Sequence, residues 1–102
     1  MAYTLRINPK AHQDIQAIYD YILKDGKSIA KEQAELIYKG LEKLADFPGI
    51  GGELSKKFGI KTDYRYLVVN APYLAFYKLM QDTVDVYRIL DGRQDYIKLL
   101  EL

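Results

Sequence analysis

The side chains best suited to chemistry in this sequence are cations and phenols. Arg65, Arg88 and Arg93 lie in the C-terminal half, close behind Lys56, Lys57 and Lys61. Six of the ten tyrosines lie from Tyr64 onward. A guanidinium pairs two-pronged with phosphate, and an exposed ring stacks on an unpaired base. The combination suits RNA in particular. It equally suits a plain sheet surface, with Tyr rings packed against neighbours and Arg stems lying over them. Arg88 stands apart. On strict strand alternation it shares a face with Val84, Val86 and Leu90, so it is either paired with a carboxylate or aimed into a functional groove.

Other chemistries are poorly supplied. The chain has no Cys and one His, which excludes a disulfide framework, a thiolate nucleophile, a Cys-based metal site and a multi-His metal site within one chain. The carboxylates Asp63, Asp82, Asp85, Asp91 and Asp95 fall mostly where turns and strand ends are expected, without metal-ligand spacing. His12 reads as a surface residue of a helix. Gly49-Ile50-Gly51-Gly52 lacks the strand before it, the helix after it and the Lys-Ser/Thr end of a phosphate loop. No metal and no cofactor are expected. The formal net charge of +1 argues against holding nucleic acid by bulk electrostatics, though not against a local basic site. No apolar run approaches the ~18–20 residues that span a bilayer, and no signal peptide is evident. A cytoplasmic protein with no membrane contact is the expectation.

The elements that must position these residues follow in a simple order. Tyr3 to Ile7 alternates as a short strand. Asn8-Pro9 starts a helix that should run to about Lys24, with Asn8 as its cap and Ala11, Ile15, Ile18, Tyr19 and Ile22 as its apolar stripe. Asp25-Gly26 stops it. A second helix, capped by Ser28, carries Ala30, Ala34, Ile37, Leu41 and Leu44 on one face and ends at Phe47-Pro48-Gly49. Residues 48–61 read as a loop with turns and a short extended piece. Three strands follow, from Tyr64 to Val69, Tyr73 to Met80 and Thr83 to Leu90. Their short connections favour an antiparallel meander. The tail from Asp95 fits a short helix or an edge strand equally well. The fold class is therefore α+β. Residues 1–102 form one domain of order β-α-α-β-β-β, with a helical hairpin packed on a small antiparallel sheet. The opposite sheet face is left solvated or kept for a partner.

The arrangement resembles the RelE/ParE superfamily, the toxin halves of type II toxin–antitoxin modules. The resemblance is carried by Asn8-Pro9-Lys10-Ala11, Asp14-Ile15, Ile18-Tyr19-Asp20-Tyr21-Ile22, Leu44-Ala45-Asp46-Phe47-Pro48, Tyr64-Arg65, Tyr77, and Val86 through Tyr96 with its Arg93-Gln94-Asp95 ending. It covers nearly the whole chain. It implies a dedicated antitoxin that wraps the toxin, and one of two targets. The ParE branch inhibits DNA gyrase. The RelE branch cleaves mRNA in the ribosomal A site, without a metal, by attack of the RNA 2′-OH on the adjacent phosphate.

In a RelE-like site, Arg65 matches the sheet-strand arginine and Arg93 the arginine after the last strand. Both would stabilise an anionic phosphorus centre. Lys61, or Lys57, would be the basic residue before the sheet. Tyr96 is the phenol nearest the family's C-terminal tyrosine, although simple counting points to Leu99. Lys56, Lys57, Arg88 and Tyr77 complete the candidates for contact with nucleic acid or another target. The chain's length, long hairpin and Arg-Gln-Asp ending favour the ParE-like reading. The RelE-like nuclease is the alternative, and an inactive member that only binds its partner is the third reading.

Overall fold

Asn8 and Pro9 turn the chain from strand to helix. In the structure, a computed structural model that describes residues 3–102, β1 spans Thr4–Ile7 and α1 spans Pro9–Ile22. Pro fits the first helical turn because no intrahelical partner awaits its nitrogen. Asn8 holds the N-cap position, but its side chain does not cap the helix. Its amide donates instead to Asp85 Oδ1 at 3.0 Å.

A single 3-10 turn, Leu23–Asp25, ends the first arm of the hairpin. α2 then runs from Lys27 to Asp46, one residue ahead of the expected Ser28 cap. Its N-cap is Gly26 at φ 131°, a backbone setting that side chains rarely tolerate. Glycine thus sets the start of α2. Farther along, Gly40 lets α2 approach β3 closely, since a Cβ there would meet Val69 Cβ at 2.8 Å.

The segment after the hairpin is more ordered than its composition suggests. It holds a two-residue strand, β2 (Gly52–Glu53), and a short helix, α3 (Leu54–Phe58). Next come β3 (Arg65–Asn70), β4 (Tyr73–Met80) and β5 (Thr83–Asp91). The tail forms a helix, α4 (Tyr96–Leu99), with Asp95 Oδ1 accepting the Lys98 N–H.

The five strands make one sheet in the order β1-β5-β4-β3-β2. The meander β3-β4-β5 is antiparallel, as is β2 on β3, while β1 adds in parallel to β5. The α+β class and the hairpin on the sheet therefore stand, and the sheet is mixed. The parallel edge is possible because β1 and β5 are far apart in sequence, so no tight turn has to join them.

Each sheet face has its own core. Ile15, Ile37, Leu41 and Leu44 of the hairpin cover Ala75, Tyr77, Val84, Val86 and Ile89. On the other face, Leu54, Tyr96 and Leu100 cover Leu74, Phe76 and Leu90. The face expected to be left over is thus partly closed by α3 and the tail. Among the described residues no helix is long and apolar enough to cross a membrane.

Alternation breaks once, and the break moves a candidate residue. The register slips between Phe76 and Tyr77, so that Val86 lies opposite Tyr77 and Arg88 opposite Phe76. Tyr87 is the extra residue of a bulge. Beyond it, Ile89 takes over the face of Val84 and Val86. Arg88 therefore leaves the face of Val84 and Val86 and stays on that of Leu90, opposite Phe76.

Candidate functional site

Arg65 and Tyr77 are direct neighbours across β3 and β4. Both are used to hold the loop after α2. The Tyr77 hydroxyl donates to the Pro48 carbonyl at 3.0 Å and accepts the Gly51 N–H at 3.2 Å. The Arg65 guanidinium donates to the carbonyls of Gly49 and Gly51, at 3.2 and 2.8 Å, and lies 3.9 Å from Glu53. Tyr77 is wholly buried. A side chain enclosed in this way offers nothing to a target, so the expected contact role of Tyr77 gives way to a structural one. Arg65 has the same structural task, and its Nε is buried without a hydrogen-bond partner among the described residues.

Arg88 finds a carboxylate. Its Nε and Nη2 donate to the two oxygens of Asp14 at 2.7 and 3.0 Å, and the Ile89 N–H donates to the same carboxylate at 3.0 Å. The hydrogen bond to Asp14 raises the Arg88 pKa further above its ordinary value, against the opposing effect of burial. Asp14 was not among the expected site residues. A signal was present: it falls within the apolar stripe of α1, between Ala11 and Ile18 at helical spacing. A carboxylate in such a stripe needs a buried cation. Arg88 is therefore a brace between α1 and β5.

Tyr96 is also packed. Its ring centroid lies 5.0 Å from Phe76 and 5.9 Å from Phe58, the latter edge-on. It is 8% exposed. It belongs to the second core and is poorly placed for proton transfer to a bound substrate.

Of the three C-terminal arginines, Arg93 is the one at the surface, with 77% of its side chain exposed. It forks onto Asp91, Nη2 to Oδ2 at 2.6 Å and Nε to Oδ1 at 2.9 Å, and its N–H donates to Oδ1 at 2.8 Å. The hydrogen bond from Arg93 holds the Asp91 carboxyl below its ordinary range. Lys61 is exposed on the stretch before β3. Lys56 pairs with Glu53 at 2.9 Å, and Lys57 lies 4.7 Å from the Tyr66 ring centroid.

These residues do not converge. Arg65 is level with Tyr77 on β4, whereas Asp91, two residues before Arg93, is level with Tyr73. Four residues of strand separate the two levels by about 13 Å. Each guanidinium is held by its own partners, Arg65 by the loop carbonyls and Arg93 by Asp91. Among the described residues no three His, Cys, Asp or Glu side chains cluster as a metal site would require.

A second aromatic–cation cluster lay outside the expected residues. Tyr64 and Tyr87 meet edge-on at 5.5 Å, and Lys78 lies 4.5 and 5.2 Å from their centroids. Burial raises both phenols above their ordinary pKa, Tyr87 helped by Asp85. Asp85 itself is buried in mid-strand rather than at a turn.

A strand-led helical hairpin on a five-stranded sheet, with an exposed arginine just past the last strand, is the arrangement that the resemblance to the RelE/ParE superfamily implied. The chain belongs to the ParE toxin family of the type II toxin–antitoxin system parDE, whose family model matches residues 5–96. It is the toxin component of such a system, and its partner is a cognate antitoxin. The fold is similar to a solved chain of the chromosomal ParDE TA system from P. aeruginosa, with a TM-score of 0.76 at 22% identity, covering 88% of this chain and 96% of that one. No curated protein matches.

Proposed function

We propose that this toxin arrests growth by engaging DNA gyrase through a protein surface centred on Arg93, without cutting RNA. The observation that carries the reading is the state of three of the four residues a nuclease site would use. Arg65 is bound to loop carbonyls, Tyr96 is inside a core, and Arg93 stands at another level of the sheet. Metal-independent RNA cleavage needs cations and a proton carrier gathered on one phosphate. Engaging a protein needs only an exposed, pre-formed contact. Arg93 provides one, held in place by Asp91.

Induction of the protein alone tests this reading. Growth should stop, and primer extension on cellular mRNA should show no new ends at codon positions. New cuts would favour the RelE-like nuclease. Uninterrupted growth would favour a member that only binds its partner.

A further inference from the structure

A guanidinium carries two hydrogen-bonding forks, one made by Nε with Nη2 and one by Nη1 with Nη2. Arg93 uses them unequally. Its Nε–Nη2 fork is closed on Asp91, with Nη2 to Oδ2 at 2.6 Å and Nε to Oδ1 at 2.9 Å. Its Nη1 has no partner among the described residues, and 77% of the side chain is exposed. The Nη1–Nη2 fork is therefore open to solvent.

Asp91 is itself fixed. It ends β5 opposite Tyr73, and its side chain is only 19% exposed. The turn that follows is tied at three points. The Gly92 N–H donates to the Pro72 carbonyl at 2.8 Å, the Arg93 N–H to Asp91 Oδ1 at 2.8 Å, and the Gln94 N–H to the Asp91 carbonyl at 3.0 Å. A free arginine is rich in rotamers, and ordering it on contact weakens binding. Here the ordering precedes any partner.

The pair also cancels its own charge. A neutral pair draws an anion weakly from a distance, so it selects by the direction of its donors. A planar carboxylate matches the open fork, two N–H donors on two oxygens. A nucleic-acid backbone is held by summed cationic charge, which an arginine already neutralised supplies poorly.

We infer that Arg93 bridges Asp91 and a carboxylate on the protein target, with Asp91 the residue that positions it. The bridge rests on the reading of Arg93 as the target contact. It also explains why the residue there is arginine and not lysine. An ammonium is a point charge and cannot present two fixed forks to two carboxylates.

Asp91→Asn tests the bridge, because charge and geometry predict opposite signs. Asn keeps an oxygen for the Arg93 N–H and loses the anion. If charge alone mattered, freeing Arg93 would tighten its hold on an acidic partner. Positioning predicts the reverse: folded Asp91→Asn should need about 5-fold more protein to inhibit purified gyrase. Arg93→Lys should need about 10-fold more. Asp91→Asn added to Arg93→Ala should bring no further loss, since a positioning residue acts only through its arginine. In the free toxin, exchange of the Arg93 Nε–H with water, read by NMR, should be slow in the wild type and fast in Asp91→Asn. Binding to gyrase without DNA should persist and depend on Arg93. Equal or stronger inhibition by Asp91→Asn, full inhibition by Arg93→Lys, additive losses in the double variant, or fast Nε–H exchange in the wild type overturns the inference. Binding that requires DNA also overturns it, because the open fork then meets a phosphate. If Asp91→Asn does not fold, Arg93→Lys and the DNA-free binding keep the test open. Wild-type toxin that leaves gyrase fully active overturns the proposed function, while the Nε–H exchange still judges whether Asp91 positions Arg93.

Discussion

Asp14 is the residue on which most local structure depends. It accepts three hydrogen bonds, two from Arg88 and one from Ile89 where β5 has lost its neighbour strand. Asp14→Ala strands a mostly buried guanidinium and an edge N–H together. The expected cost is about 2–3 kcal/mol, measured by chemical denaturation, because removing one partner of a buried pair leaves the other uncompensated. Tyr77→Phe removes the hydroxyl that joins Pro48 to Gly51, and about 1–2 kcal/mol should be lost in the same assay. Arg93→Ala should leave the denaturation midpoint unchanged, since its pair with Asp91 is exposed and solvent-screened. At this scale the sequence marked Arg88 as needing a carboxylate or a groove, and a carboxylate is what it meets. It did not reveal that Arg65 and Tyr77 share one loop. That depends on cross-strand register, which no local spacing encodes.

The elements divide into those with long periodic patterns and those without. α1 and α2 were legible because their apolar stripes repeat over several turns, and Ile15, Ile37, Leu41 and Leu44 are buried as the stripes require. The parallel placement of β1 was not legible, because a four-residue strand carries no mark of its partner's direction. α3 was hidden for a similar reason: five residues among glycines and lysines show no helical period. The covered second sheet face depended on α3 and the tail, so it was hidden with them. Tyr96 shows the consequence. The sequence offers a phenol near a family position, while the fold packs its ring between Phe58 and Phe76. Tyr96→Phe should leave both growth arrest and stability nearly unchanged. Tyr96→Ala should cost about 3 kcal/mol by opening a cavity in the second core, read as a lowered unfolding midpoint.

Over the whole molecule, near-neutral charge and abundant tyrosine have different roles. Tyr38, Tyr64, Tyr73 and Tyr87 all have phenol pKa values raised from the ordinary 10.0, with burial the largest cause. A folded value above the unfolded one means the proton is held more tightly in the folded chain. The stability this supplies is present below pH 10.0 and is lost as pH rises through the folded values. The unfolding midpoint should therefore drop above that pH, in step with tyrosinate absorbance. The charge is near zero because fifteen Lys and Arg nearly balance fourteen Asp and Glu, and ions such as Asp14–Arg88 and Asp91–Arg93 also pair locally within the fold.

The central claim is that this surface acts on gyrase. It is tested most directly by the supercoiling of relaxed plasmid by purified gyrase in the presence of the purified toxin. Supercoiling should fall as the wild-type protein is added, and folded Arg93→Ala should need at least about 10-fold more protein for the same effect. Full supercoiling at saturating, correctly folded wild-type toxin would contradict the account.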